Sequence, residues 1–187
     1  MSEQNAKIIA FVGLDGSGKS AATNYVIERG YPKVHFGSVI VNALSEEGLD
    51  FTLENEKMMR DKLRQNGEDL VVKRIVEQIK NLIEAGQRRI VVDGMGSWEA
   101  YRTLKHEFPG ELITVALTPF RDIRLRRLAN RNERPLSQQE AYERDFDEIE
   151  SLGKGGVIAI ADYSILNNSS QEQLHMQIDE LMRFIDF

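Results

Sequence analysis

The apolar run Lys7–Val12, KIIAFV, passes directly into the octet GLDGSGKS, Gly13 to Ser20. No other feature of the chain restricts the fold as strongly. The octet satisfies G-x-x-x-x-G-K-[S/T] at every defined position, a pattern that works when a strand delivers the loop and a helix leaves it. A short, unbroken apolar run is what a strand buried on both faces of a parallel sheet requires. Lys19 to Arg29 has helical character, with Gly30 placed to stop it and Pro32 just beyond. Glycines at 13, 16 and 18 let the backbone turn sharply and come close to a ligand, so that successive N–H groups converge on phosphate oxygens. The helix N-terminus behind them adds a favourable dipole. Gly13, Gly16, Ser17, Gly18, Lys19, Ser20 and Ala21 are therefore the candidate phosphate contacts. Lys19 is the residue that reaches the β- and γ-phosphates, and the Ser20 hydroxyl is the candidate Mg²⁺ ligand.

The remaining chain alternates strand and helix signals without repeats or low-complexity linkers. KVHF is a brief second strand candidate. Ser38 to Gly67 is mostly helical and polar, with Thr52 a cap for LENEKMMRDKLRQN, and it reads as an insertion outside the core. From Asp69 to Ala85, Val71, Val72, Ile75, Val76, Ile79, Leu82 and Ile83 recur at helical spacing, and Gly86 follows as a stop. RRIVVDGMGS and ELITVALTP read as strands, the second ending where Thr118 can cap a helix begun by Pro119. A helix is expected from Ser137 to Leu152, a last strand at DYSILN, and an amphipathic helix from Gln171 to Phe187. Five short strands separated by helices imply an α/β protein with a parallel, doubly wound sheet.

Bulk properties set bounds on function. At 187 residues the chain can bury one sizeable core, so a single domain over 1–187 is expected. A net charge of −6 argues against a general nucleic-acid binder or a protein held on an anionic membrane by its overall charge. The absence of cysteine excludes disulfides, thiolate metal sites and cysteine nucleophiles. MSEQNAK lacks the basic start and apolar stretch of a signal peptide, and no apolar run approaches the roughly 20 residues that span a bilayer. The expectation is a soluble, cytoplasmic monomer or homodimer. His35, His106 and His175 have no ligand-like spacing and are read as structural.

Two further features carry chemistry. Asp93 closes an apolar strand, where a phosphate-loop protein needs a carboxylate to hold Mg²⁺, usually through water; an aspartate opening a turn is the plainer reading. FRDIRLRRLANRNER holds six arginines between Arg121 and Arg134, against Asp122 and Glu133. On a continuous helix Arg124, Arg127, Arg131 and Arg134 occupy one face about 80° wide. Such a row can grip a nucleotide and neutralise charge on a phosphoryl group in flight, or it is a solvated face paired with nearby acids.

The order of phosphate loop, Asp-Gly strand end, arginine-rich helix and ADYSILNNSS resembles the nucleoside monophosphate kinase group of P-loop kinases. ENEKMMRDKLRQNGEDLVVKRIVEQI, VVDGMGS and GKGGVIAIADYSILN are most similar to a largely archaeal family of adenylate kinase-related proteins, itself similar to dephospho-coenzyme A kinase. The resemblance implies a P-loop NTPase fold of three α/β/α layers around a five-stranded parallel sheet. It implies a mobile acceptor-binding insertion at 38–67 and a short arginine-bearing lid at 119–136. Its activity would be ATP- and Mg²⁺-dependent phosphotransfer to a small nucleotide-like acceptor. Lys19, Arg124, Arg127 and Asp15 would then be catalytic, Arg131 and Asn167 would join the loop in holding ATP, and Ser20 and Asp93 would hold the metal.

The chain also departs from that pattern. GSVIV and DGMGS place Val41 and Gly96 where acceptor-gripping arginines are expected. Arg60, Arg64, Lys73 and Arg74 are either substitutes or ordinary solvated helix charges. Asp15 occupies a place where thymidylate kinases have an acid that meets the acceptor sugar hydroxyl, and a carboxylate there can orient a hydroxyl or accept its proton. An Asn-Lys-x-Asp guanine motif is absent, which disfavours a signalling GTPase. An ATP-binding regulator with weak turnover and a polynucleotide 5′-kinase stay open as alternatives.

Overall fold

The computed structural model describes residues 6–63, 70–132 and 135–187. Its strands are β1 (Lys7–Val12), β2 (Lys33–His35), β3 (Arg89–Asp93), β4 (Leu112–Leu117) and β5 (Tyr163–Ile165). The helices are α1 (Lys19–Ile27), α2 (Phe36–Glu46), α3 (Leu53–Leu63), α4 (Leu70–Glu84), α5 (Trp98–Glu107), α6 (Arg121–Ala129), α7 (Gln138–Glu150), α8 (Lys154–Ala159) and α9 (Gln171–Phe184). All five strands run parallel in the order β2-β3-β1-β4-β5. Ile8 of β1 pairs with Ile90 on one side and Leu112 on the other, which makes β1 the central strand. The chain leaves β1 toward β2 and later returns past it to β4, so the topological switch point lies at the end of β1, where open parallel sheets bind ligands.

The unbroken apolar character of β1 follows from this position. Ile8, Ala10 and Val12 enter a core with α2, α3, α4 and α5, while Ile9 and Phe11 enter a second core with α1 and α9. Side chains alternate across a strand, so a strand covered on both faces must be apolar at both parities.

Several expectations are corrected. The segment read as an insertion outside the core supplies Val39, Ile40, Ala43 and Leu44 of α2 and Met59 and Leu63 of α3 to the larger core. An apolar stripe on one side of α2 was masked by the polar average of the segment. Thr52 does cap α3, accepting a hydrogen bond from the Asn55 N–H at 3.1 Å. The helix after β4 begins at Arg121 behind Phe120, and Thr118 instead donates its N–H to the Ile165 carbonyl at 3.0 Å, continuing the pairing of β4 with β5. Among the described residues no helix is long and apolar enough to cross a membrane.

Candidate active site

The octet forms the turn between β1 and α1. Gly16 and Gly18 have φ of 81° and 100°, a left-handed backbone that turns consecutive N–H groups inward. Neither position has room for a side chain. A Cβ at Gly16 would lie 2.9 Å from the Arg124 carbonyl oxygen, and one at Gly18 would run into the Asn167 amide nitrogen. Lys19 folds back over the loop, donating to the Leu14 carbonyl at 3.0 Å and standing 3.9 Å from the Asp15 carboxylate. Burial, aided by the like charge of Lys154, pushes the Lys19 ammonium down to about 8. A phosphate polyanion over the loop reverses that balance. Ser20 lies exposed in the first turn of α1, directly after Lys19, and Ala21 follows it.

A buried ionic frame supports the loop tip. The Asp15 N–H donates to Glu148 at 3.0 Å, and the Asp15 carbonyl accepts from Arg124 at 3.0 Å. Arg124 forms a bidentate pair with Asp145 at 2.7 and 2.5 Å, and Glu148 is also bonded by Lys154. Burial pushes the Asp15 carboxyl up, but Lys19, Arg144, Lys154 and Arg131 outweigh it and hold the group below its ordinary value. Its Oδ2 accepts from Arg144 Nε at 3.2 Å.

This frame revises the arginine row. The helix ends at Ala129, so Arg131 lies in the following loop, exposed yet near enough to act on Asp15 and Lys19. Arg134 lies outside the described residues. Arg124 is 5% exposed and neutralised by Asp145, which makes it a positioning residue for the loop tip rather than a free phosphate clamp. Arg127 faces the segment after β5 and lines an open cavity of about 560 Å³ with Ile123, Arg126, Asn130, Asn168 and Ser169. Asn167 is buried beside the phosphate loop, its amide donating to the Ser17 carbonyl at 2.9 Å. It therefore braces the loop, and its neighbours 168 and 169 line the cavity. Among the described residues, the buried side-chain polar atoms without a hydrogen-bond partner are Ser17 Oγ and Arg127 Nη1. Arg127 borders that cavity, while Ser17 is buried inside the turn of the loop, its Oγ beside Gly13.

Asp93 ends β3 beside β1, 3.9 Å from Lys33 Nζ and 3.7 Å from His35 Nε2. Its carboxylate and the Ser20 hydroxyl are hard oxygen donors at the C-terminal edge of the sheet. This set fits Mg²⁺, which takes few protein ligands and keeps waters and phosphate oxygens. His35, read as structural, thus borders the candidate metal carboxylate. A cavity of about 220 Å³ is lined by Phe36, Gly37, Ile40, Gly94, Arg144 and Lys154 among others. Of the substitute cations expected from the sequence, Arg74 pairs with Glu46 at 3.7 Å, Lys73 is exposed, and the Arg60 side chain and Arg64 lie outside the described residues.

The sequence reading missed Arg144, Asp145, Glu148 and Lys154. The sequence carried no signal for them, because only the structure shows that α7 buries Ala141, Asp145 and Glu148 while exposing Phe146 and Ile149. A helix that turns acids inward and apolar groups outward holds cations in its core.

Residues 9–153 match the family described as an AAA domain. A UPF0200 protein of Thermococcus onnurineus (strain NA1) is 35% identical over 182 residues, covering 95% of this chain and 97% of its own. Two solved structures share the fold. Shikimate kinase from Bacteroides thetaiotaomicron aligns with a TM-score of 0.59 at 13% identity, covering 97% of this chain and 99% of its own. A gluconokinase from Sinorhizobium meliloti 1021 aligns with a TM-score of 0.59 at 16% identity, covering 97% and 96%.

Proposed function

This chain belongs to the UPF0200 proteins and carries an AAA domain over most of its length, and from that premise we propose that it is an ATP- and Mg²⁺-dependent phosphotransferase acting on a small-molecule acceptor. The observation that carries the reading is the loop itself, a left-handed glycine turn with Lys19 folded over it at the switch point of a parallel sheet. The solved neighbours named as shikimate kinase and gluconokinase support transfer to a small alcohol.

In such a transfer the acceptor hydroxyl oxygen bonds to the γ-phosphorus while the bond to the bridging β–γ oxygen breaks. ADP keeps that electron pair, and the hydroxyl proton passes to the Asp15 carboxylate or to water. Lys19 neutralises the β- and γ-phosphates, Arg131 adds positive charge at the loop tip, and Asp15 orients the hydroxyl. Mg²⁺ held by Ser20 and Asp93 would supply charge neutralisation on the phosphates. Arg127, facing the segment at 168–169, belongs to the ATP side.

The test is phosphotransfer from ATP across nucleoside monophosphates, dephospho-coenzyme A, hydroxy acids and sugar acids. Lys19→Ala should abolish turnover while leaving the melting temperature near that of the wild type, because Lys19 lies outside both cores. Undiminished turnover in that variant would overturn the reading. A second reading, an ATP-binding regulator, is favoured by the locking of Arg124 to Asp145, and tight ATP binding without turnover on any acceptor would select it.

A further inference from the structure

We infer that the cavity beside the phosphate loop takes a compact alcohol bearing one carboxylate or phosphate group, and that Arg144 and Lys154 are its anion grip. The inference rests on the phosphotransferase reading and names the acceptor class. It begins with the place where the chain lacks a strand-end arginine. A Cβ added at Gly96 would lie 3.6 Å from Lys154 Cε, in van der Waals contact, so the lysine stem runs directly beside position 96. Lys154 is brought there by the left-handed turn at Gly153, with φ of 63°, which ends the α7 segment against Trp98. A cation from α8 thus stands where the β3 end offers none.

Arg144 borders the same cavity from α7. Its side chain is half exposed, and its bond to Asp15 uses Nε, so the two terminal nitrogens can pair with one bidentate anion. Both cations are held ready by carboxylates that also touch the phosphate loop. Glu148, fully buried, binds Lys154 with one oxygen and the Asp15 N–H with the other. Arg144 binds the Asp15 carboxylate itself. The anion end of an acceptor is therefore fixed by the same frame that fixes Asp15, the group placed to orient the hydroxyl. Phe36 and Ile40 form an apolar wall for the carbon skeleton. The cavity volume of about 220 Å³ is below the roughly 300–1,000 Å³ of sites that enclose drug-sized ligands, which selects a compact acceptor over a nucleotide.

Trp98, the single tryptophan, reports on this site because its ring packs over Gly156 and its Cβ over Gly153, on either side of Lys154. With Mg²⁺ and a non-hydrolysable ATP analogue filling the phosphate loop, glycerate, glycerol 3-phosphate and AMP are titrated while Trp98 fluorescence is followed. Saturable binding of glycerate or glycerol 3-phosphate, tighter than AMP, is expected, and the tighter of the two identifies the anion as carboxylate or phosphate. Arg144→Gln should weaken that binding about 10- to 100-fold with analogue affinity within about twofold of wild type. Lys154→Met is combined with Glu148→Gln so that no buried charge is stranded, and the double variant should lose anion affinity to the same degree; analogue affinity is read as the selective control in Arg144→Gln alone, because Glu148 also holds the Asp15 N–H. Unchanged anion affinity in Arg144→Gln, tighter binding of AMP, or no response to either compact anion overturns the inference. Anion binding without ATP turnover on any acceptor would instead sink the phosphotransferase reading and leave the anion grip standing.

Discussion

Gly18 and Asn167 show how a single position is fixed from both ends of the chain. Asn167 donates to the Ser17 carbonyl at 2.9 Å, and this contact is possible because residue 18 lacks a Cβ and holds φ at 100°. Gly18→Ala should therefore strain the backbone and push Asn167 out of place, at a cost of about 1–3 kcal/mol in stability. ATP affinity should fall at least about tenfold as the N–H groups lose their convergence, since one such donor is worth that much. Calorimetric titration with ATP and a thermal melt check both, and unchanged affinity would show that the loop does not need this geometry. The requirement for glycine was legible from the octet's spacing. Its physical reason was not, because a contact between residues so far apart in the chain leaves no local pattern, and Asn167 entered the ATP site only through the resemblance.

At the scale of elements, legibility followed the hydrophobic period. Strand β1 and helix α4, with its buried Val71, Val72, Ile75, Val76 and Ile79, lie where the apolar spacing placed them. Helix α7 lies within the span expected from Ser137 to Leu152 and opens on a reciprocal capping box of Ser137 and Glu140, but its role was hidden because its inner face is acidic. The arginine row carried two readings for the same reason. Spacing alone places Arg124 and Arg127 on one side of α6 but cannot show that Asp145 waits opposite Arg124. Removing Asp145 tests the frame. Asp145→Ala strands a buried guanidinium and should cost about 3–5 kcal/mol, whereas the double variant Arg124→Met, Asp145→Leu should recover most of that stability. The double variant still lacks the bond from Arg124 to the Asp15 carbonyl, so ATP affinity should remain several-fold weaker than wild type. Urea denaturation and ATP titration of the three proteins separate the two effects. Full recovery of both would reduce the pair to packing alone.

Across the whole molecule the five-stranded sheet with apolar cores on both faces was legible from alternation, but the ties between distant elements were not. One such tie is Asp162, just before β5. It accepts from the Thr114 N–H and hydroxyl of β4, both at 2.8 Å, and from Lys105 of α5 at 3.2 Å. Burial pushes this carboxyl up, but the Thr114 hydrogen bonds and the Lys105 ammonium outweigh it and hold the group below its ordinary value. The folded chain therefore binds this proton less readily than the unfolded chain. Its stabilising contribution is complete above the ordinary carboxylate range, near pH 4, and drains as pH falls through that range toward the lower folded value. Asp162→Asn keeps the shape and loses the charge, so at pH 7 it should be less stable by about 0.5–1 kcal/mol, the charge being partly screened by solvent. On acidification the wild type should lose this advantage, and the two urea midpoints should converge below about pH 4. Midpoints that stay separated by the same interval from pH 7 to pH 3 would show that the Asp162 charge contributes nothing and that its geometry alone joins α5 and β4 to the start of β5.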